Sequence, residues 1–356
     1  MRIWFDILTP KQVMFFKPAV DLLRKSGHEL LCTSRHYREA VDLAKIQGLN
    51  LKIVGRHGGS ERYEKLQESA KRIHQLAYEI RKFKPDIAIT FSSPEGARVA
   101  FGLGIKHIGF NDSPHAEAVS KLTIPLMDHL FSPWVIPNSA WAPFGISKKN
   151  ITRYRALDPA AWLKRCPMST SPARVLANKL KLDMDKKSIL IRIEESKASY
   201  IADKNLEPTT SMVDSLVKNF SKLANVLILC RYEDQLSEIT KKYKGKAHVI
   251  QKVMDGRYLI SLCDVFIGAG GTMTSEASLL GKPTISMAPL PFYVERYLVV
   301  SGLVKRACNS KNLIKLTREM IMDNGYATKQ KKKAKRILDK MDDPVDKILS
   351  YVENLA

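Results

Sequence analysis

Residues 264–276 read DVFIGAGGTMTSE, an apolar run that ends in Gly268-Ala269-Gly270-Gly271 and continues into Thr272, Met273 and Glu276. The run predicts a buried strand over Val265–Ile267, and the glycines a sharp turn into a helix. The first N–H groups of such a helix lack intrahelical partners, and near Thr272 and Met273 they suit phosphate oxygens. The helix dipole adds ~1 kcal/mol and each charge-assisted hydrogen bond ~1.5–3 kcal/mol, so a diphosphate needs further groups to hold it. Glu276, one turn after Thr272, is placed to accept from ribose hydroxyls. The alternative is a tight strand-to-helix turn in which Glu276 only caps.

This is not the usual dinucleotide fingerprint, because it lies late in the chain with the wrong glycine spacing. Lys282 comes too late for a Walker loop. The first strand ends in Asp6-Ile7-Leu8-Thr9-Pro10-Lys11-Gln12, without glycine. A nicotinamide or flavin enzyme of the common type is not expected, and no cofactor is.

Outward from this turn, short apolar runs alternate with amphipathic ones. Strands are expected at Ile3–Leu8, Glu29–Thr33, Leu51–Val54, Asp86–Phe91 and His107–Phe110, with helices between them. The section Pro133–Pro172 is proline-rich and reads as a linker around a short strand, Ile151–Arg155. The rhythm then resumes with strands at Ser188–Ile193, Asn225–Leu229, His248–Gln251, Val265–Ile267 and Thr284–Met287. Such alternation implies parallel sheets covered on both faces. The chain, at 356 residues, is long for one core. The expected architecture is α/β, two Rossmann-like domains facing across a cleft. Residues 1–165 form an acceptor domain, 173–328 a nucleotide-sugar-binding domain, and 329–356 C-terminal helices that pack on either.

The net charge of +22 (58 Lys+Arg, 36 Asp+Glu) favours an anionic partner. Lys329–Arg336, KQKKKAKR, resembles a nucleic-acid tail, but Ile337, Leu338 and Met341 follow at helical spacing, so a solvated basic helix face is expected. The five cysteines show no C-x-x-C pair and read as buried hydrophobes in a reducing compartment. No leader or membrane span is evident, which predicts a cytoplasmic protein.

Ligands of open parallel sheets bind beyond the carboxyl ends of the strands. His57, Glu95, Asp112, His115 and Glu117 follow strands or start helices in the first half. A histidine or carboxylate among them can serve as general base, with His57 and the Asp112/His115 pair leading. Each also has a plainer reading: an exposed loop histidine, or a cap at Asp112. No H-E-x-x-H, clustered Cys/His or nucleophile elbow occurs, so no metal site is expected.

FDILTPKQVMFFKP (5–18), VGRHGGS (54–60), PDIAITFSSPEGARVAFGLG (85–104), NDSPHAEAVSKLTIPL (111–126) and FIGAGGTMTSEASLLGKPTISM (266–287) together resemble a mainly archaeal family, domain of unknown function 354. That family is similar to the GT-B superfamily of glycosyltransferases and UDP-GlcNAc 2-epimerases. The resemblance implies that Gly270, Gly271, Thr272 and Met273 hold the diphosphate of a nucleotide-sugar and that Glu276 contacts ribose. Arg192 stands where these proteins place a phosphate-contacting loop, or is a surface arginine paired with Glu194 or Glu195; Arg231 is a similar candidate. His115-Ala116-Glu117-Ala118 resembles the H-x-E-A element of the epimerases, and Asp128–Pro133 resembles the next segment of those enzymes. The paired glutamates expected between those elements are replaced by Pro125-Leu126-Met127. The epimerases' opening G-T-R-P-E is absent, and Leu8–Gln12 replaces the glycine-rich histidine loop of the peptidoglycan transferase. Ala156-Leu157-Asp158-Pro159 stands where the family more often has Gly-Val-Asp-Glu.

A metal-independent glycosyltransferase is the expectation, with an anionic or lipid-linked acceptor at the inner membrane face. Sugar-nucleotide epimerisation is one alternative; non-catalytic nucleotide or nucleic-acid binding is another, although basic strands with interleaved aromatics are lacking.

Overall fold

A computed structural model describes residues 1–59, 61–166, 171–193, 208–230, 233–289 and 292–355. The chain divides into two compact units, Met1–Arg165 with Met341–Ala356, and Cys166–Lys340.

The first unit carries strands β1 (Arg2–Asp6), β2 (Glu29–His36), β3 (Lys52–Arg56), β4 (Ile87–Thr90), β5 (Lys106–Phe110), β6 (His129–Pro133) and β7 (Ile151–Tyr154). Its helices are α1 (Pro10–Lys25), α2 (Arg38–Ile46), α3 (Arg62–Phe83), α4 (Pro94–Gly102), α5 (Glu117–Thr123) and α6 (Ala160–Leu163). The strands pair in parallel in the order β3-β2-β1-β4-β5-β6-β7. Consecutive residues Ile3, Trp4 and Phe5 are all buried, as both faces of a covered parallel strand require. On one face Phe15 and Phe16 of α1 meet Phe91 and Phe110 edge-on, and Phe110 stacks on Phe131.

The section expected as a linker is part of this core. Trp141, Tyr154 and Trp162 are fully buried, and His129–Pro133 adds a strand that the sequence reading did not expect. Pro133 ends β6, Pro137 precedes one 3-10 turn, Pro143 lies in another and Pro159 precedes α6, positions that need no N–H donor.

In the second unit the strands are β8 (Ser188–Arg192), β9 (Asn225–Leu229), β10 (His248–Ile250), β11 (Val265–Gly268), β12 (Thr284–Ser286) and β13 (Lys305–Arg306). The helices are α7 (Ser171–Lys179), α8 (Thr209–Phe220), α9 (Glu233–Lys242), α10 (Gly256–Leu262), α11 (Gly271–Leu279), α12 (Tyr293–Val300), α13 (Ser310–Met322) and α14 (Asn324–Asp339). The order is β10-β9-β8-β11-β12-β13, again parallel throughout. Each unit therefore has the doubly wound Rossmann order, with its reversal at β1/β4 and at β8/β11.

The last helices separate. Lys329–Arg336 lies within α14, whose Gln330 and Ala334 face inward while Lys329, Lys331, Lys332, Lys335 and Arg336 are exposed. The backbone of α14 comes so close to Gly281 that a Cβ there would lie 2.7 Å from Cα of Lys331. The final helix, α15 (Pro344–Glu353), belongs to the first unit. It is fastened by Arg165, which pairs with Asp343 and Asp346, and by Tyr351 edge-on to Phe131. Among the described residues no helix is long and apolar enough to cross a membrane.

Candidate functional site

In the second unit the strand-to-helix turn after β11 opens at the sheet's topological reversal, where ligands of such sheets bind. Gly270 and Gly271 have φ of 88° and 75°, values that favour glycine. The N-cap of α11 is Gly270, and among the described residues no side-chain cap engages the helix's first N–H groups. Thr274 and Ser275 instead donate their hydroxyls back to the carbonyls of Gly270 and Gly271, at 2.9 and 3.2 Å. The carbonyls of the turn are thus engaged, and its amides form the anion-binding end of a nine-residue helix.

Thr272 and Met273 are half-buried at this terminus, Met273 against the core under α10. Glu276 is buried and runs to the start of α10, where its Oε2 lies 3.4 Å from the Cβ position of Gly256. The neighbouring Arg257 donates to the Asp255 carboxylate at 2.6–3.1 Å and to the Cys166 carbonyl at 2.9 Å. A second buried carboxylate, Glu295, stands behind the turn: a Cβ on Gly270 would lie 3.1 Å from its Oε2. Its other oxygen accepts from Ser286 Oγ at 2.6 Å, with Arg306 Nε 3.7 Å away. Burial raises its pKa, and Ser286 and Arg306 offset that only in part. Arg192, at the end of β8, donates to the Cys230 carbonyl at 2.6 Å and so lies across the end of β9. Arg231, Glu194 and Glu195 lie outside the described residues.

The reversal of the first sheet carries a buried ionic group. Arg72 of α3 donates Nη2 to Asp6 Oδ1 at 2.6 Å, Nη1 to Asp6 Oδ2 at 3.1 Å and to Glu95 Oε2 at 3.3 Å, and Nε to the Val54 carbonyl. Ser93 and Thr33 donate to Asp6, and Trp4 Nε1 to Thr33. Burial alone would raise Asp6, but the Arg72 charge and these hydrogen bonds hold it below its ordinary value. Glu95 is thereby an ion-pair partner inside the fold.

The other first-unit candidates fall into separate places. His57 follows edge strand β3, stacks on Tyr37 and accepts from the Gly59 amide. Asp112 follows β5, four strand spacings away, or ~19 Å at ~4.8 Å per strand. Beside Asp112 the structure places Lys11, whose Nζ is 2.6 Å from Asp112 Oδ2 and 2.6 Å from Asp158 Oδ2. Tyr154 donates to Asp158 Oδ1 and Ser113 to Asp112 Oδ1. His115 is exposed and lies within electrostatic reach of Asp112 and Lys11. Glu117 is exposed to solvent and paired one turn along α5 with Lys121. Among the described residues no three His, Cys, Asp or Glu side chains form a metal-holding group.

Sequence reasoning did not select Lys11, Asp158, Tyr154, Arg72, Asp255, Arg257 or Glu295. The one available signal was position: Lys11 and Asp158 each follow the end of a predicted strand, Ile3–Leu8 and Ile151–Arg155, by three residues.

Solved structures share this fold. The UDP-GlcNAc 2-epimerase of Neisseria meningitidis, solved bound to UDP-GlcNAc, superposes with a TM-score of 0.75 at 17% identity, covering all of both chains. The Methanocaldococcus jannaschii UDP-GlcNAc 2-epimerase, in complex with UDP-GlcNAc and UDP, gives 0.71 at 17% over 99% of this chain and 100% of its own. The spinosyn forosaminyltransferase SpnP gives 0.62 at 17% over 100% and 99%. The two parallel-sheet α/β units are thus those of the GT-B fold. In sequence, the uncharacterized M. jannaschii protein MJ0665 is 29% identical over 316 residues, 88% of this chain and 90% of its own. The family model described as "Protein of unknown function (DUF354)" matches residues 1–356, and the chain belongs to that family.

Proposed function

We infer that the protein is a glycosyltransferase that takes a nucleotide-diphosphate sugar as donor. The observation that carries this reading is the turn at Gly270–Gly271, an uncapped helix N-terminus at the topological reversal of its sheet, with buried Glu276 one turn beyond. In this reading the amides of Gly271, Thr272 and Met273 receive the diphosphate and Glu276 the ribose hydroxyls. The departing diphosphate is stabilised by the helix end and by basic groups, Arg192 among them, with no metal required. A proton acceptor of the first unit takes the proton of the attacking hydroxyl. The net charge of +22 fits an anionic acceptor such as a lipid-linked phosphate, reached from the cytoplasm at the inner membrane face.

The test is calorimetry with UDP, GDP, ADP and their sugar conjugates on wild type and Glu276→Ala. Selective binding of one nucleotide, weakened about tenfold (~1.4 kcal/mol) by the substitution, is expected. Binding of none defeats the reading.

Epimerisation is the second reading, favoured by the H-x-E-A likeness at His115–Ala118. It needs no acceptor and would carry solvent deuterium into the sugar. The exposed position of Glu117, paired with Lys121, speaks for transfer over epimerisation.

A further inference from the structure

We propose that Asp112 and Asp158, bridged by the single ammonium of Lys11, act as one proton-accepting unit: Asp112 takes the proton of a bound hydroxyl, while Lys11 and Asp158 are positioning residues that set its basicity. The role rests on the transferase reading above.

The geometry distinguishes the two carboxylates. The Asp112 side chain is 23% exposed and Asp158 only 3%, so Asp112 is the oxygen pair that a substrate reaches. Asp158 is held from behind by Tyr154 Oη and in front by Lys11. The Lys11 ammonium is fixed at 2.6 Å from each carboxylate and lies 4.1 Å from the centroid of the Phe91 ring. One positive charge therefore serves two negative ones, and the excess charge is shared.

The groups facing the pair come from three segments. They are Lys11 from α1, Ser113 and His115 from the loop after β5, and Tyr154 with Asp158 from β7 and the turn after it. Burial raises Asp158 to about 6, aided by the Asp112 charge and only partly offset by Lys11 and Tyr154. Burial also raises Asp112, but the charge and hydrogen bonds of Lys11 and Ser113 bring it below its ordinary value. The two values belong to the pair. Fully ionised, the pair binds its first proton with the affinity of a base near pH 6, stronger than a lone carboxylate beside a lysine. In transfer, the hydroxyl oxygen bonds to the anomeric carbon as the bond from that carbon to the diphosphate breaks. The bonding electron pair leaves on the diphosphate, and the hydroxyl proton passes to Asp112 and rests within the pair on Asp158, the carboxylate whose pKa is raised.

The charges predict shifts of opposite sign. Asp158→Asn leaves Lys11 to Asp112 alone, so the remaining carboxylate titrates lower, by about one pH unit or more below the wild-type upper step. Lys11→Met removes the cation and raises the upper step by about one unit or more. Tyr154→Phe, a milder change that keeps all charges, raises it less. Two measurements on the full chain read this. The first is carboxyl-carbon NMR of 13C-labelled aspartates, titrated without ligand. The second is the acid limb of nucleoside diphosphate release from UDP-GlcNAc, GDP-mannose and ADP-glucose, with glycerol as hydroxyl acceptor. The expected result is an acid limb near pH 6 that follows the NMR step in each variant, and a loss of about 100-fold or more in Asp112→Asn. Independent titration of both carboxylates at ordinary values overturns the proposal. So do shifts of one sign in Asp158→Asn and Lys11→Met, or turnover that keeps its acid limb in every variant. Failure of the donor reading is separable, because it appears as loss of nucleotide binding in calorimetry while the ligand-free titration is unaffected.

Discussion

Strands β1 and β4 flank the reversal of the first sheet; β1 ends in Asp6 and β4 is followed by Ser92-Ser93-Pro94-Glu95, whereas β8 and β11 flank that of the second and end in Arg192 and in glycine. In the first unit the helices that start there are capped by their own side chains: Thr9 accepts from the Gln12 amide, and Ser93 from the Gly96 amide. The space between is filled by Asp6, Arg72 and Glu95. In the second unit, among the described residues, the helix after β11 has no side-chain cap, and its turn reaches solvent at Gly271. Equal topology therefore leaves unequal crevices. An open sheet offers a ligand crevice at its reversal, but the chain decides whether that crevice is closed by its own ion pairs or left as bare amides.

The hardest test of the contrast is to empty the filled crevice. Arg72→Met leaves Asp6 and Glu95 buried without their cation, and loss of one partner of a buried pair costs about 3–5 kcal/mol. All four tryptophans (Trp4, Trp134, Trp141 and Trp162) lie in the first unit, so their fluorescence under urea reads that unit's stability. A loss below ~1 kcal/mol would show that the ionic group is peripheral to stability.

Acid provides the next largest effect, again in the first unit. His107 is buried, its ring nitrogen 2.9 Å from Thr90 Oγ1, and burial lowers its pKa from 6.5 to about 4. The unfolded chain thus takes up a proton near pH 6.5 that the folded chain takes up only near pH 4. Stability is full above that window and falls by about 3 kcal/mol as pH drops through it. Asp6 opposes no such change there, because its lowered pKa keeps its contribution intact until still lower pH. Asp158, raised to about 6, takes up its proton earlier in the folded chain and adds stability over the same window. The His107 contribution is therefore read as the difference between the tryptophan transitions of His107→Gln and wild type, which should change by about 3 kcal/mol between pH 7 and 4.

A smaller effect is expected at the open crevice. Gly270→Ala combines positive φ with a Cβ 3.1 Å from Glu295 Oε2 and 3.3 Å from the Ala288 Cβ. Nucleotide affinity should fall about 10- to 100-fold, or ~1.4–2.8 kcal/mol, with the tryptophan transition unchanged. Gly271→Ala meets nothing within 4 Å, so its effect on the fold is the backbone penalty alone, about 1–2 kcal/mol. Equal losses of affinity in both variants would mean that backbone conformation matters and the Glu295 contact does not.

The open crevice was legible in the sequence and the filled one was not, for a physical reason. Glycine announces itself, because a turn of positive φ needs that residue type at that place, and β11 was marked by an apolar run buried on both faces. Arg72, in contrast, is one cation on a long charged helix, and its partners Asp6 and Glu95 are distant in sequence. Nothing local separates it from a solvated face. Lys11 and Asp158 were hidden in the same way, since only the crossover of α1 over the sheet brings them together. The section 133–165 misled because prolines interrupt periodicity, while the burial of Trp141 and Trp162 depends on tertiary packing. Composition suggested a nucleic-acid run in Lys329–Arg336, but helical spacing described it better.

The smallest effect is the one that separates the two chemistries. Glu117 shares its H-x-E-A setting with the epimerases, yet its side chain is 66% exposed and its carboxylate is 2.6 Å from Lys121, itself 64% exposed. The hydrogen bond and charge of Lys121 lower its pKa, so it is an ionised surface group, unlike the buried Asp112–Asp158 pair. A carboxylate that removes a proton from a sugar carbon needs a raised pKa and shelter from water, and Glu117 has neither. Exposed ion pairs of this kind often contribute nothing measurable. Glu117→Ala should therefore leave the tryptophan transition, nucleotide affinity and transfer rate unchanged within about twofold, while Asp112→Asn slows transfer about 100-fold or more. Loss of activity in Glu117→Ala, accompanied by solvent deuterium in the recovered sugar nucleotide, would reverse the order of the two readings. The H-x-E-A likeness would then be a functional inheritance, and Glu117 would have to leave Lys121 when substrate binds.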